Sequence, residues 1–182
     1  MLMDHCLETL RREIAVAIEG MTPEQLDSHP PGKWSAAEVL EHLYLTYTGT
    51  IKGFERVAAG LHSPSKPTWT HSARRFAVVG LSYMPAGREA PSYTRPRGLP
   101  IETVVAEIGA KIAAMDAIIT RCERAAGNGR LLDHSILGPL TAGQWRKFHL
   151  VHGRHHLKQI RRLRESYPVS YTHLTLPTIC SV

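Results

Sequence analysis

The sequence lacks the features that mark several well-known classes of protein. Its three cysteines, Cys6, Cys122 and Cys180, form no C-x-x-C motif, which argues against a disulfide scaffold. No apolar run approaches the roughly 18 residues that a membrane-spanning helix needs. The first residues, MLMDHCLETLRREI, are charged and amphipathic and do not resemble a signal peptide. We therefore expect a cytoplasmic protein with no membrane partner.

The composition is that of an ordinary soluble globule, since 43% of the 182 residues are hydrophobic and 21% are charged. This length favours one domain with a core of its own. The stretch 170–182, SYTHLTLPTICSV, has no charged residue and no helical stripe, and it looks like translated library-adaptor sequence. We predict a helical domain over residues 1–167 and a disordered, non-native tail over residues 168–182.

The net charge is +6, and much of it falls on the last predicted helix. A basic helix is one signature of nucleic-acid binding. No recognised nucleic-acid motif accompanies it, so we expect no nucleic-acid partner; a positive surface near an anionic small substrate accounts for the charge equally well. We place the basic side chains on the solvent side of the helix, around its histidines. They are Arg146, Lys147, Arg154, Lys158, Arg161, Arg162 and Arg164.

Apolar residues recur at three- and four-residue steps in four segments, which predicts an all-α four-helix bundle. A loop is expected over residues 127–140. The short links favour antiparallel pairing of the first helix with the second and of the third with the fourth. The long link between the second and third helices permits a crossover, which makes those two helices parallel. The predicted helices cover about residues 3–20, 35–59, 100–126 and 142–166.

The crossover between the second and third helices, residues 60–99, holds five of the twelve prolines. A structureless connection of this length is unusual in a compact domain, so we expect it to be partly ordered. Residues 72–79 are predicted to form a short helix. The remainder is expected to be extended.

The most distinctive stretch is Trp145–Ile160, with the sequence WRKFHLVHGRHHLKQI. Thr141 and Gln144 form a capping box just before it, so a helix should begin near residue 142. Four of the eleven histidines lie in this stretch: His149, His152, His155 and His156.

Two of these histidines have the spacing of a pair of metal ligands. His152 and His156 lie roughly 40° apart on the inward face of a helix, so both imidazoles can reach one Zn²⁺, Ni²⁺ or Fe²⁺ ion. A lone histidine on an apolar face is more often a core residue, which is the alternative for each of them. His42, on the inward side of the second helix, is a candidate third ligand. A zinc peptidase is disfavoured because Gly153 stands where that motif needs a glutamate.

Two segments resemble the DinB/YfiT-like superfamily, in a branch catalogued as a domain of unknown function. They are PGKWSAAEVLEHL and HSILGPLTAGQWRKFHLVHGRHHLKQI, and the resemblance spans about residues 5–166. It implies a bundle with an up-down-down-up path. It also implies a divalent metal, Zn²⁺ or Ni²⁺, bound by His42, His152 and His156. By the same match His155 is not a ligand.

Relatives in this superfamily include thiol S-transferases, which use low-molecular-weight thiols, and proteins described as hydrolases. The resemblance therefore implies a metal-dependent enzyme acting on a small molecule, with a low-molecular-weight thiol as one candidate partner. Three histidine ligands leave a coordination position open, as in catalytic sites, and a bound water or thiol would be activated there. The alternative is a non-catalytic bundle that binds metal for stability or pairs with itself as a homodimer.

Residues around the ligands receive secondary roles. Gln159 and His149 are expected to hydrogen-bond to the ligand rings or to hold water rather than to bind the ion. Glu41 points away from the His42 face, so we expect it at the surface. No residue is assigned as the catalytic acid, base or nucleophile.

Overall fold

The structure is a computed structural model, and it describes residues 3–85 and 89–167. Over these residues the fold is mostly helical, which confirms the predicted all-α class in its main feature. The predicted tail over 168–182 lies outside the described residues. The long helices are α1 (His5–Ile18), α3 (Ala36–Ala58), α5 (Ile101–Ala126) and α6 (Ala142–Ser166), and the shorter ones are α2 (Pro23–Asp27) and α4 (Trp69–Arg75).

Side-chain caps explain why the helices begin where they do. The Ser35 hydroxyl accepts a hydrogen bond from the Glu38 amide, and the Glu38 carboxylate accepts one from the Ser35 amide at 2.8 Å. Thr141 and Gln144 make the same reciprocal pair at the start of α6. Such capping boxes satisfy amide groups that the first helical turn leaves unpaired. The predicted ends of α6 are confirmed, and those of the other long helices lie within a few residues.

One apolar core holds the long helices together. Helix α3 packs mainly against α5, and α1 mainly against α6. Gly153 permits the second of these contacts, because a Cβ atom at this position would overlap Leu10 Cδ1. None of the described helices has both the length and the apolar character needed to cross a membrane. The largest fully buried side chains of the core include Tyr47, Phe54, Leu7, Leu10, Ile14, Ile112, Met115 and Ile119.

The predicted loop over residues 127–140 is wrong in part, because it contains a β-hairpin. Strands β1 (Leu132–His134) and β2 (Gly138–Leu140) pair antiparallel. Trp145 Nε1 of α6 donates to the Leu132 carbonyl at 3.0 Å and fixes the hairpin to the helix. Strands of three residues are too short to display an alternating pattern, which is why the sequence did not reveal them.

The crossover is partly ordered, as expected, although its elements are displaced from the prediction. Helix α4 begins at Trp69, after a cap by Thr68, and continues as a π-helical turn over Phe76–Gly80. The predicted helix over residues 72–79 therefore overlaps two different kinds of helix. A 3₁₀ turn at Ser92–Thr94 interrupts the part that was expected to be extended.

One basic residue of α6 is not where the sequence placed it. Arg146 is buried instead of facing solvent, and its Nε donates to Asp116 at 2.9 Å. Its two terminal nitrogens donate to Glu123 at 2.7 Å and to Thr120 at 2.8 Å. A guanidinium can be buried here because α5 supplies carboxylates that match its charge and donors. Lys147 is partly buried, and the remaining basic residues of α6 are exposed, as predicted: Arg154, Lys158, Arg161, Arg162 and Arg164.

Candidate metal centre

Three imidazoles from two helices meet at one point in the structure. Helix α3 supplies His42, and α6 supplies His152 and His156. The Nε2 atom of His152 lies 3.1 Å from that of His156 and 3.4 Å from that of His42. One ring nitrogen from each residue falls within 4.8 Å of the other two. The structure therefore brings together the three histidines singled out from the sequence.

The ring orientation of His42 is set by the crossover. Its Nδ1 lies 2.8 Å from the backbone carbonyl oxygen of Thr94. A carbonyl oxygen can only accept a hydrogen bond, so Nδ1 carries the proton and Nε2 directs its lone pair at the other two rings. This is the arrangement in which a metal-bound histidine usually occurs.

His156 is oriented in the same way by a residue of its own helix. Its Nδ1 lies 2.9 Å from Oε1 of Gln159, so Nδ1 donates and Nε2 is again left with a free lone pair. The amide nitrogen of Gln159 lies 3.4 Å from Nε2 of His155, which places His155 outside the group of three nitrogens. Gln159 thus contacts a ligand candidate, as the sequence predicted.

The donor set fits a cation. A proton on Nε2 of His152 can satisfy only one of its two neighbours at a time, so at least one lone pair stays unmatched. His152 Nδ1 is buried and has no hydrogen-bond partner within the described part of the chain. A divalent ion accepts all three lone pairs at once and leaves the proton of each ring on Nδ1.

Burial keeps these imidazoles neutral, which is the form that binds metal. Desolvation lowers the pKa of His42, and it lowers that of His156 to about 3, with the nearby His42 adding to the effect. The pKa of His152 also lies well below its ordinary value, chiefly because of burial. Near neutral pH the three rings therefore do not repel one another as cations.

Aromatic side chains pack against two of the three rings. Phe148 stacks on His152 with ring centres 5.4 Å apart, and the ring centres of Trp34 and His42 are 5.2 Å apart. His42 and His156 are buried, whereas His152 is partly exposed.

His149 lies next to the centre but outside it. Its Nε2 is 3.2 Å from the Thr50 hydroxyl, which itself donates to the Thr46 carbonyl at 3.0 Å, so His149 is the donor. Its Nδ1 has no partner among the described residues. Burial, with a smaller contribution from His134, lowers the pKa of His149 to about 3. The predicted contact between His149 and a ligand ring is not among the hydrogen bonds of the described residues.

Glu41 is the residue of this region that the sequence reasoning misjudged. It is 3% exposed instead of lying at the surface, and its carboxylate accepts hydrogen bonds from the amides of Arg97 and Gly98. The helical pattern correctly places Glu41 away from the His42 face. The error arose because the crossover covers that side of α3, and a single helix's periodicity carries no information about such a covering segment.

Comparison with known proteins gives one result that bears on this centre. A family model described as the DinB superfamily matches residues 7–160, a range that contains all three grouped histidines. No curated protein and no solved structure matches the chain.

Proposed function

The chain belongs to the DinB superfamily, and from this membership and the histidine geometry we propose that His42, His152 and His156 bind one divalent metal ion at a catalytic centre. The observation that carries the proposal is the meeting of three Nε2 atoms, with that of His152 lying 3.1 Å from that of His156 and 3.4 Å from that of His42. Zn²⁺ or Ni²⁺ is the proposed ion, because neutral imidazole suits both.

The surrounding residues have distinct proposed roles. The Thr94 carbonyl and Gln159 hold His42 and His156 with their Nε2 atoms directed inward. Phe148 and Trp34 exclude water from two sides of the rings. We propose that His149 helps to position His152, because it is buried and lies one turn earlier on α6. A bound divalent ion would supply Lewis acidity, which lowers the pKa of a coordinated water or thiol.

The proposed reaction is transfer of a low-molecular-weight thiol to a small molecule, or hydrolysis of a small molecule. Support comes from the three-histidine donor set, which leaves a coordination position open. We further propose an up-down-down-up path for the long helices, with the crossover joining α3 to α5, and a cytoplasmic, homodimeric protein. Nucleic acid and membranes are not among the proposed partners.

Metal content is the first test. The untagged wild-type protein should retain close to one equivalent of Zn²⁺ or Ni²⁺ after dialysis, measured by elemental analysis. A chelator should remove the ion, and adding it back should raise the melting temperature, because an ion that binds only the folded state stabilises it. Failure of the wild-type protein to bind either ion would overturn the proposal.

The second test separates a catalytic centre from a structural one. A screen of small electrophiles with low-molecular-weight thiols, and of small hydrolysable esters and amides, should show turnover that depends on added metal. Gln159→Ala should keep the ion but lower turnover about 10- to 100-fold, since residues that orient ligands typically contribute that much. Metal-dependent stability without turnover in any screen would identify a structural site.

A further inference from the structure

We propose that Glu41 is a positioning residue for the metal centre, which acts by fixing the strap, the crossover residues 91–98, against α3. The strap in turn presents the Thr94 carbonyl to Nδ1 of His42. The inference rests on the proposed metal-binding function and adds to it a residue that touches neither the ion nor its ligands.

The carboxylate of Glu41 is committed to the strap. It is 3% exposed, and its two oxygens accept from two consecutive amides, Arg97 N at 2.7 Å and Gly98 N at 3.0 Å. The Arg97 guanidinium makes no ion pair with Glu41 within the described residues, and its Nη2 donates to the Tyr93 carbonyl at 3.1 Å. Charge-assisted bonds to backbone amides are strong, and a buried carboxylate deprived of them is costly. These bonds therefore fix one end of the strap.

The strap is also ordered within itself. Thr94 is buried, and both its amide and its hydroxyl donate to the Pro91 carbonyl, at 2.9 and 3.1 Å. Pro91 and Pro96 restrict the backbone on either side. The turn at Thr94 is therefore a short rigid unit, and the direction of its carbonyl depends on where the unit sits on α3.

Two neighbouring residues of α3 make the attachment. Glu41 binds the strap at Arg97 and Gly98, and His42 binds it at Thr94. Without the Glu41 carboxylate, the strap keeps its hydrogen bond to His42 but loses the attachment at Arg97 and Gly98. The Thr94 carbonyl is then no longer kept in line with Nδ1, and the His42 ring is free to change its tautomer or rotate. Loss of a residue that touches a ligand typically lowers metal affinity or activity about 10- to 100-fold, and a residue one step further away should fall at the lower end of that range.

Zinc affinity, measured by competition with a chromophoric chelator, tests the inference. Glu41→Ala should bind Zn²⁺ about 10-fold more weakly than the wild-type protein, the lower end of the range for residues that orient a ligand directly. Glu41→Gln should lose less, because its amide oxygen can still accept one of the two hydrogen bonds. Glu55→Ala removes an exposed glutamate from the same helix and should leave zinc affinity unchanged.

The tautomer of His42 is a second readout, which a purely structural role for Glu41 would not change. Nitrogen-15 NMR of the metal-free wild-type protein should show His42 protonated at Nδ1, and Glu41→Ala and Glu41→Gln should lose part of that preference. Wild-type zinc affinity and tautomer in both folded variants would overturn this inference and leave the proposed function intact. Absence of zinc binding by the wild-type protein would overturn the proposed function and this inference with it.

Discussion

Helix α6 buries two polar groups of opposite character. Near its beginning, Arg146 lies among Asp116, Glu123 and Thr120, so each of its three guanidinium nitrogens donates to a neighbour and its charge faces two carboxylates. Further along, His152 and His156 meet His42, and three groups of the same kind turn their ring nitrogens toward one another. The first cluster is complete as it stands, whereas the second is completed only by an added cation.

This difference separates a polar cluster that stabilises the fold from one suited to bind a ligand. Satisfied buried ion pairs are expensive to break, because the remaining partner is left charged in the interior. Lone pairs that converge on one point instead lower the stability of the fold, and they give the site affinity for a cation. Changes to the two clusters should therefore have opposite signatures, one in stability and the other in metal binding.

The largest expected effect is the loss of metal from His156→Ala. Two remaining imidazoles hold a divalent ion poorly, so affinity should fall by more than the roughly 100-fold expected when an orienting residue is lost. Elemental analysis after dialysis measures this directly. His155→Ala, one residue earlier on the same helix, is the matched control and should retain the metal. Equal metal content in both variants would contradict the assignment of His156.

The next effect is destabilisation by Arg146→Met. Asp116 is only 3% exposed, and it loses the guanidinium that balances its charge, so unfolding should become easier by about 3–5 kcal/mol. Urea titration measures the change. The matched control is Arg154→Met, which breaks the exposed pair with Glu13 and should cost under about 1 kcal/mol. Zinc affinity of the folded Arg146→Met protein should equal that of the wild type, and a large loss would show that the two clusters are coupled.

The effect that is smallest near neutral pH, and that grows in acid, sharpens the comparison by removing one buried histidine beside the centre. Unfolded chains protonate this imidazole near its ordinary pKa of 6.5, whereas burial lowers the pKa of folded His149 to about 3. As pH falls from 6.5 toward 3, only the unfolded chain takes up this proton, so His149 lowers the free energy of unfolding progressively across that window. The slope within that window is about 1.4 kcal/mol per pH unit.

His149→Phe should remove this slope, because a phenyl ring fills similar space between Tyr47 and Trp145 without titrating. Urea titrations of the metal-free proteins at several pH values give the comparison. Both proteins share every other titrating group, so the difference between their slopes isolates His149. Identical slopes would mean that His149 takes up its proton at about the same pH in the folded protein as in the unfolded chain.

Much of the fold was predictable because long helices leave local signals in the sequence, namely apolar periodicity and capping residues. Ser35 with Glu38 and Thr141 with Gln144 are local signals, and each pair marks a helix start in the structure. The pair His152 and His156 is also local, since its i, i+4 spacing decides that both rings share one face.

Other features depend on what packs against an element and could not be read from it. Arg146 was predicted to be exposed like the other basic residues of α6, but in the structure it is buried against Asp116 of α5. Glu41 was predicted to be exposed, but in the structure the crossover covers it. His42 lies between these cases, because its inward position followed from the helical pattern, whereas its hydrogen bond to Thr94 required two segments that are 52 residues apart.

The missing side chain at Gly153 restricts how this protein can change through mutation. The zinc peptidase motif H-E-x-x-H would need a glutamate at this position, between the two histidines of α6. A Cβ atom here would overlap Leu10 of α1, so the position faces the neighbouring helix. Replacing Gly153 by glutamate alone would push α1 and α6 apart, so it would not place a general base correctly. A descendant of this chain that gained such a base at position 153 should therefore carry a compensating substitution at position 10.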